Sequence, residues 1–138
     1  MMLRILAAFI FFTRLPFWKL AEVPAEYFKN IVSRWALVGW FTAGLMVIVL
    51  YAGSLILPAG VALALAMVTR LLITGCLHED GLADFFDGFG GGTNRERVLA
   101  IMKDSHIGSY GVIGLICYFG LYYLLLSSLP VELAGCAI

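Results

Sequence analysis

One stretch, residues 78–111, reads HEDGLADFFDGFGGGTNRERVLAIMKDSHIGSYG and holds six of the nine acidic residues, both histidines and three of the nine bases. All four aspartates lie in it: Asp80, Asp84, Asp87 and Asp104. On an α-helix advancing about 100° per residue, Asp80, Asp84 and Asp87 share an arc of roughly 60°. Three carboxylates on one face repel one another and call for a cation or a compensating base. Ligation by carboxylates alone is the preference of hard cations such as Mg²⁺ or Mn²⁺, so these three aspartates are the expected metal set. Glu79 falls about 100° off that face and His78 nearly opposite, so geometry leaves both outside the cluster.

The segment DxxDG is followed by Gly90, Gly91 and Gly92 and then by Arg95, Arg97 and Lys103. Glycines let backbone N–H groups approach an anion and the bases neutralise it, which suits a phosphate site; a glycine run by itself is more often a flexible loop. Residues 94–104 read as a second helix with Asn94 as N-cap and Val98, Ile101 and Met102 as its apolar side. Asp104, at its end, is a further ligand or a general base.

Blander readings compete. An acidic face on a loop also suits simple solvation, but Leu82, Ala83, Phe85, Phe86 and Phe89 crowd the same helix and leave the aspartates as its only polar stripe. A zinc site from Cys76, His78 and His106 would need an unusual spacing. His78 suits a hydrogen-bonding role at a helix start, although it stands beside Asp80. His106 suits a loop or a phosphate contact better than a base. The three cysteines sit in or beside apolar runs without a CxxC pair and read as small buried hydrophobes.

The elements that must carry this segment are apolar. The chain has 138 residues, of which 62% are hydrophobic, and a mean hydropathy of +0.99. A soluble domain is nearer half apolar. The expected class is therefore all-α, a polytopic membrane helical bundle with a cytoplasmic acidic helix-loop-helix. A net charge of zero argues against nucleic-acid binding. No cleavable signal peptide is expected, because no small-residue cleavage site follows the first apolar run before Arg14 and Pro16.

In chain order, residues 3–15 are too short for a span of about 20 residues and read as an interfacial or re-entrant helix. Residues 16–34 are a mixed surface connection with a short helix expected after Pro24; Trp18 and Tyr27 suit a headgroup level. Residues 35–57, 61–77 and 108–129 read as three spans of one membrane domain covering 1–138, with 78–107 as a cytoplasmic active-site segment. Gly108, Gly111, Gly114 and Gly120 would allow close packing of the third span. Arg70, inside the second span, is costly in hydrocarbon and is read as facing a polar cavity near His78 on a continuing helix. Arg4, Arg14, Lys19, Lys29 and Arg34 precede the first long span, and Arg95, Arg97 and Lys103 lie between the second and third. Two crossings separate these groups, so they share one side, taken as the cytoplasm.

These residues resemble a known family. His78-x-Asp80-Gly81-Leu82-Ala83-Asp84-x-x-Asp87-Gly88, then Arg95-Glu96-Arg97 and Ile101-Met102-Lys103-Asp104-Ser105-x-x-Gly108, look like cobalamin synthase, the adenosylcobinamide-GDP ribazoletransferase family. Phe12-Thr13-Arg14-Leu15-Pro16 looks like that family's opening motif. The resemblance runs along nearly the whole chain. It implies a Mg²⁺-dependent enzyme of the bacterial inner membrane acting late in vitamin B12 assembly. α-Ribazole, or its 5′-phosphate, would attack the cobinamide-side phosphorus of adenosylcobinamide-GDP, releasing GMP and forming adenosylcobalamin or its 5′-phosphate. Asp80, Asp84 and Asp87 would hold the ion, Asp104 or His78 would take the ribazole proton, and Arg14, Arg95 and Lys103 would clamp phosphates. Partners beyond substrates and the bilayer would be a second copy or other corrinoid-pathway membrane enzymes. Family members are considerably longer, so the tail VELAGCAI is expected to be a truncation.

The DxxDG segment is also similar to that of CDP-alcohol phosphatidyltransferases, but the sequence after Gly88, GGGTNRERVL from Gly90, lacks that family's alanine-arginine and paired-aspartate pattern. A third reading is a divalent-cation carrier using the aspartates as an ion path. A carrier would place them at mid-membrane, whereas here they follow a full apolar run and share a segment with three bases.

Overall fold

A computed structural model describes residues 1–138, the side chain of Asn30 excepted. Among the described residues every regular element is helical. The chain divides into two compact units, Met1–Gly75 with Leu129–Ile138, and Cys76–Ser128.

The first unit is built on a hairpin of α2 (Trp35–Ser54) and α3 (Ala59–Thr74). α2 buries Val38, Thr42, Met46 and Leu50, one residue every four, which aligns them along one side of the helix. α3 buries Ala62, Leu63, Ala66 and Met67. Near the turn, a Cβ on Gly53 would lie 3.1 Å from that of Ala62, so the two backbones approach closely there. Buried threonines return their hydroxyls to their own helices: Thr42 Oγ1 donates to the Gly39 carbonyl at 3.0 Å and Thr74 Oγ1 to that of Arg70 at 3.0 Å. Pro58 stands just before α3, where its fixed φ of −55° suits a helix start.

α1 (Met2–Phe12) is 11 residues long. Its Ala7, Ala8 and Phe12 form a cluster with Ile31 and Val38, joined by Phe9, Val23, Tyr27 and Phe28. Phe12 also stacks on Trp35, ring centroids 5.4 Å apart. The connection to α2 is a series of 3₁₀ turns, Phe17–Lys19, Ala25–Asn30 and Val32–Arg34, so the short helix expected after Pro24 is of the tighter type. The last residues form a short helix, named α7 below.

The second unit contains α4 (Leu77–Gly91), α5 (Arg95–Ile101) and α6 (Ser109–Ser127); α7 (Val131–Ala137) belongs to the first unit and sets Tyr51 Oη 3.3 Å from the Glu132 carbonyl. The helix expected to run on from Arg70 to His78 is interrupted. Gly75 ends α3 at φ 64° and Cys76 follows at φ 60°, both left-handed. Glycine adopts this conformation freely and closes α3 with a bond from its N–H to the Leu71 carbonyl. Cys76, with a Cβ, bears a cost of about 1–2 kcal/mol there.

Two helical segments are long and apolar enough to cross a membrane, Ile31–Ser54 and Ser109–Ser127. α3, expected as another span, has 16 residues. At about 1.5 Å per residue this is roughly 24 Å, and α3 together with Leu77–Gly91 meets the same criterion of length and composition as one broken span or re-entrant pair. The hairpin residues 35–57 and 61–69 carry no charge.

Candidate active site

α4 carries the acidic stripe, and burial rises along it. Asp80 is exposed, Asp84 half-buried and Asp87 buried at 8% exposure. Ala83, Phe86, Asp87 and Gly90 of α4 lie against the start of α6 and its N-cap, which buries Asp87. Burial pushes the Asp84 carboxyl above its ordinary range, and the charges of Asp80 and Asp87 push in the same direction.

Asp87 has a different environment. Its Oδ2 accepts the Gly108 N–H at 2.7 Å and its Oδ1 the Gly111 N–H at 2.8 Å. These are donors of the N-cap and third helical residue of α6, which has no capping side chain of its own because the N-cap is glycine. A Cβ on Gly108 or Gly111 would collide with the Asp87 carboxylate, and one on Gly114 with the Phe86 ring. The close packing expected of these three glycines is therefore present; Gly120 has open space around its Cβ position.

The glycine run offered as an anion cradle is helix instead. Gly90 and Gly91 belong to α4 and Gly92 caps it. Their missing side chains make room for neighbours: a Cβ on Gly88 would strike Met102, on Gly90 the Tyr110 ring, and on Gly92 Val98. Packing of α5 and α6 thus needs glycine at 88, 90 and 92, neither as a loop nor as an anion cradle, the two uses the sequence suggested. The second helix forms as expected, with Asn94 Oδ1 accepting the Arg97 N–H at 2.9 Å. Its apolar side, Val98, Ile101 and Met102, faces α4. Arg95, Arg97 and Lys103 are exposed.

After α5 the chain turns through Asp104-Ser105-His106. Asp104 Oδ1 accepts the His106 backbone N–H at 3.1 Å and lies 2.6 Å from His106 Nδ1. The side-chain hydrogen bond from His106, with the backbone bond, lowers the Asp104 carboxyl from its usual range. Asp104 in turn raises His106. The two side chains are 57% and 88% exposed, so this pair faces solvent. Sequence reasoning treated them separately; the signal was the spacing Asp-x-His, which an Asx turn brings together.

His78 is exposed in the first turn of α4, and its neighbour Glu79 is buried at 4% exposure. The sequence left Glu79 without a role. Arg14 belongs to the first unit. Its backbone N–H donates to the Ile73 carbonyl at 2.7 Å, and its side chain lies over Gly75, where a Cβ would collide with it. The Phe-Thr-Arg-Leu-Pro motif is thereby docked on the C-terminal end of α3, where a cation is favoured by the helix dipole.

Among the described residues no three histidine, cysteine, aspartate or glutamate side chains converge as a closed metal cage. The residues nonetheless fit a magnesium ion. Asp80 is exposed and Asp84 half-buried, one helical turn apart on α4, so both carboxylates are open to an ion and its water. Mg²⁺ takes only one or two protein carboxylates and fills its shell with water and substrate phosphate.

Residues 4–138 match the family model described as cobalamin-5-phosphate synthase. An adenosylcobinamide-GDP ribazoletransferase of Shewanella sp. (strain ANA-3) is 47% identical over 124 residues, 90% of this chain and 47% of the relative. The same enzyme of Shewanella sp. (strain W3-18-1) is 48% identical over 129 residues, 94% of this chain and 48% of the relative. That of Shewanella amazonensis is 44% identical over 124 residues, 90% of this chain and 48% of the relative. The chain spans about half the length of the curated relatives it matches. No solved structure matches it. With its acidic helix, its Asp104 turn and a family match over residues 4–138, the chain belongs to the cobalamin-5-phosphate synthase family.

Proposed function

We propose that this chain carries the phosphotransfer site of an adenosylcobinamide-GDP ribazoletransferase, joining α-ribazole or its 5′-phosphate to adenosylcobinamide-GDP with release of GMP. The observation that carries this is the family match along residues 4–138, which contains every polar residue of the site. In this reading Asp80 and Asp84 hold Mg²⁺ on the diphosphate. Bound there, the ion supplies charge neutralisation and in-line orientation of the phosphoryl group. Asp87 was expected as a third ligand; its oxygens accept two backbone N–H groups, and its part is taken up below.

Proton removal from the ribazole hydroxyl falls to the Asp104–His106 pair, with His78 as the other candidate base. Asp104 alone is a weak base once its carboxyl is lowered by His106. Held at Nδ1 by Asp104, a neutral His106 ring has Nε2 left to accept a proton. Arg95, at the start of α5, and Lys103, just after its end, are exposed and are the proposed phosphate contacts of the second unit; Arg14 is the candidate in the first. The bundle lies in the bacterial inner membrane with residues 78–107 on the cytoplasmic side, supported by the uncharged α2–α3 turn and the bases flanking it.

The test is turnover in detergent or lipid with Mg²⁺, adenosylcobinamide-GDP and α-ribazole 5′-phosphate, following GMP and the corrinoid product by mass. The chain is assayed alone and joined to the remaining length of a Shewanella relative. Mg²⁺-dependent GMP and cobalamin product that vanish with Asp84→Asn support the reading. Release of CMP from a CDP-alcohol, or ion flux in liposomes without nucleotide, would replace it.

A further inference from the structure

Asp80, Asp84 and Asp87 follow one another at spacings of four and three along one face of α4, yet the structure treats the last of them differently. Among the described residues no side-chain hydrogen bond is seen at Asp80 or Asp84, whereas both Asp87 oxygens accept main-chain donors at the start of α6. An α-helix leaves its first N–H groups without partners, and a side chain at the N-cap normally accepts from the third helical residue. Here Gly108 occupies the N-cap, and Asp87, 21 residues earlier, supplies the acceptor. Its charge also sits at the positive end of the α6 dipole. Gly108 and Gly111 are required at their positions because any Cβ would occupy the carboxylate's place.

We propose that Asp87 is a positioning residue. Its carboxylate clasps the N-terminus of α6 to α4, and so fixes the Asp104–His106 turn, which leads directly into α6, relative to Asp80 and Asp84. The ion is then held by Asp80 and Asp84 without Asp87, an assignment that rests on the magnesium reading above; the clasp itself does not. The burial of Asp87 follows from the same contact. A carboxylate at 8% exposure needs its lost hydration replaced, and two N–H groups replace it with no ion present.

The test uses the full chain in detergent and reads two quantities. Amide hydrogen exchange is measured at residues 108–112 in EDTA and again with Mg²⁺. Mn²⁺ affinity is measured by electron paramagnetic resonance. In EDTA, Asp87→Asn and Asp87→Glu are expected to speed exchange of the Gly108 and Gly111 amides by about tenfold or more, while Asp80→Asn and Asp84→Asn leave it within about twofold. Mn²⁺ dissociation constants are expected to rise about tenfold or more in Asp80→Asn and Asp84→Asn, but to stay within about threefold in Asp87→Glu. Glutamate keeps the charge but is one methylene too long for a clasp closed by two glycines, so it separates the two roles.

In the unmodified chain, protection of Gly108 and Gly111 should be present in EDTA and unchanged by Mg²⁺; this arm stands even if the variants fail to fold. Unprotected amides in EDTA, or protection lost when Mg²⁺ binds, would overturn the clasp. Mn²⁺ affinity falling as far in Asp87→Glu as in Asp84→Asn would overturn the division of labour. A chain that binds no Mn²⁺ at all would sink the magnesium reading and leave the exchange result to decide the clasp.

Discussion

α2 and α3 pack as a hairpin in which α2 buries Thr42, Met46 and Leu50 and α3 buries Ala62, Leu63, Ala66 and Met67, with Gly53 close to Ala62 near the turn. α4 meets α6 through Phe86 against Gly114 and the Asp87 carboxylate against Gly108 and Gly111. The first contact is spread over many side chains, each contributing a little dispersion energy. The second is concentrated in one carboxylate and the absent side chains of Gly90, Gly108, Gly111 and Gly114. A spread contact tolerates substitution and fixes position loosely. A concentrated one is intolerant, and fixes two helices to within a hydrogen-bond length.

The difference can be broken most sharply at the glycines. Gly111→Ala drives a methyl into the Asp87 carboxylate, combining overpacking with loss of the cap; a cost of about 2–4 kcal/mol is expected. Denaturant or thermal unfolding in detergent should register it as a loss of helical signal at lower stress. Leu50→Ala, in the hairpin, should cost about 1–3 kcal/mol by the same measurement. In lipid the transfer part of the usual 2–5 kcal/mol is missing, and lost packing remains. If Leu50→Ala proves the more damaging, the contrast between spread and concentrated contacts is wrong.

A smaller effect is expected at Asn94→Ala, which removes the acceptor for the Arg97 N–H and should cost about 1 kcal/mol, read as faster amide exchange in the first turn of α5.

The smallest concerns the Asp104–His106 turn. His106 is raised in the folded chain, so its share of the turn's stability is complete below its ordinary pKa and is lost as pH rises through the folded value. Asp104 is lowered, so its share is complete above the ordinary carboxylate range and is lost as pH falls through the folded value. The pair therefore holds between those limits. Proton NMR titration should show the His106 pKa falling in Asp104→Asn. An unchanged titration would mean the ring is not held by Asp104, and would remove it from the proposed proton acceptors.

Apolar run length, capping and periodicity made the helices readable. The apolar runs had the length and composition of spans, Asn94 announced the start of α5, and three aspartates at spacings of four and three had to share a face. These are local properties, fixed by 3.6 residues per turn and by the backbone chemistry of single residue types. The sequence also predicted that the glycines of α6 permit close approach, without saying of what.

Other features needed the tertiary structure. Gly90, Gly91 and Gly92 look alike as a loop and as the end of a packed helix, because glycine is equally permissive in both; the bulk of Tyr110, Val98 and Met102 decided between them. Gly75 and Cys76 broke a helix that composition would have continued, since a left-handed turn leaves no apolar signature. Asp87 was indistinguishable in sequence from Asp80 and Asp84. What separated it was a helix beginning 21 residues later with two N–H groups in need of an acceptor, and a contact across that distance exists only once the chain is packed.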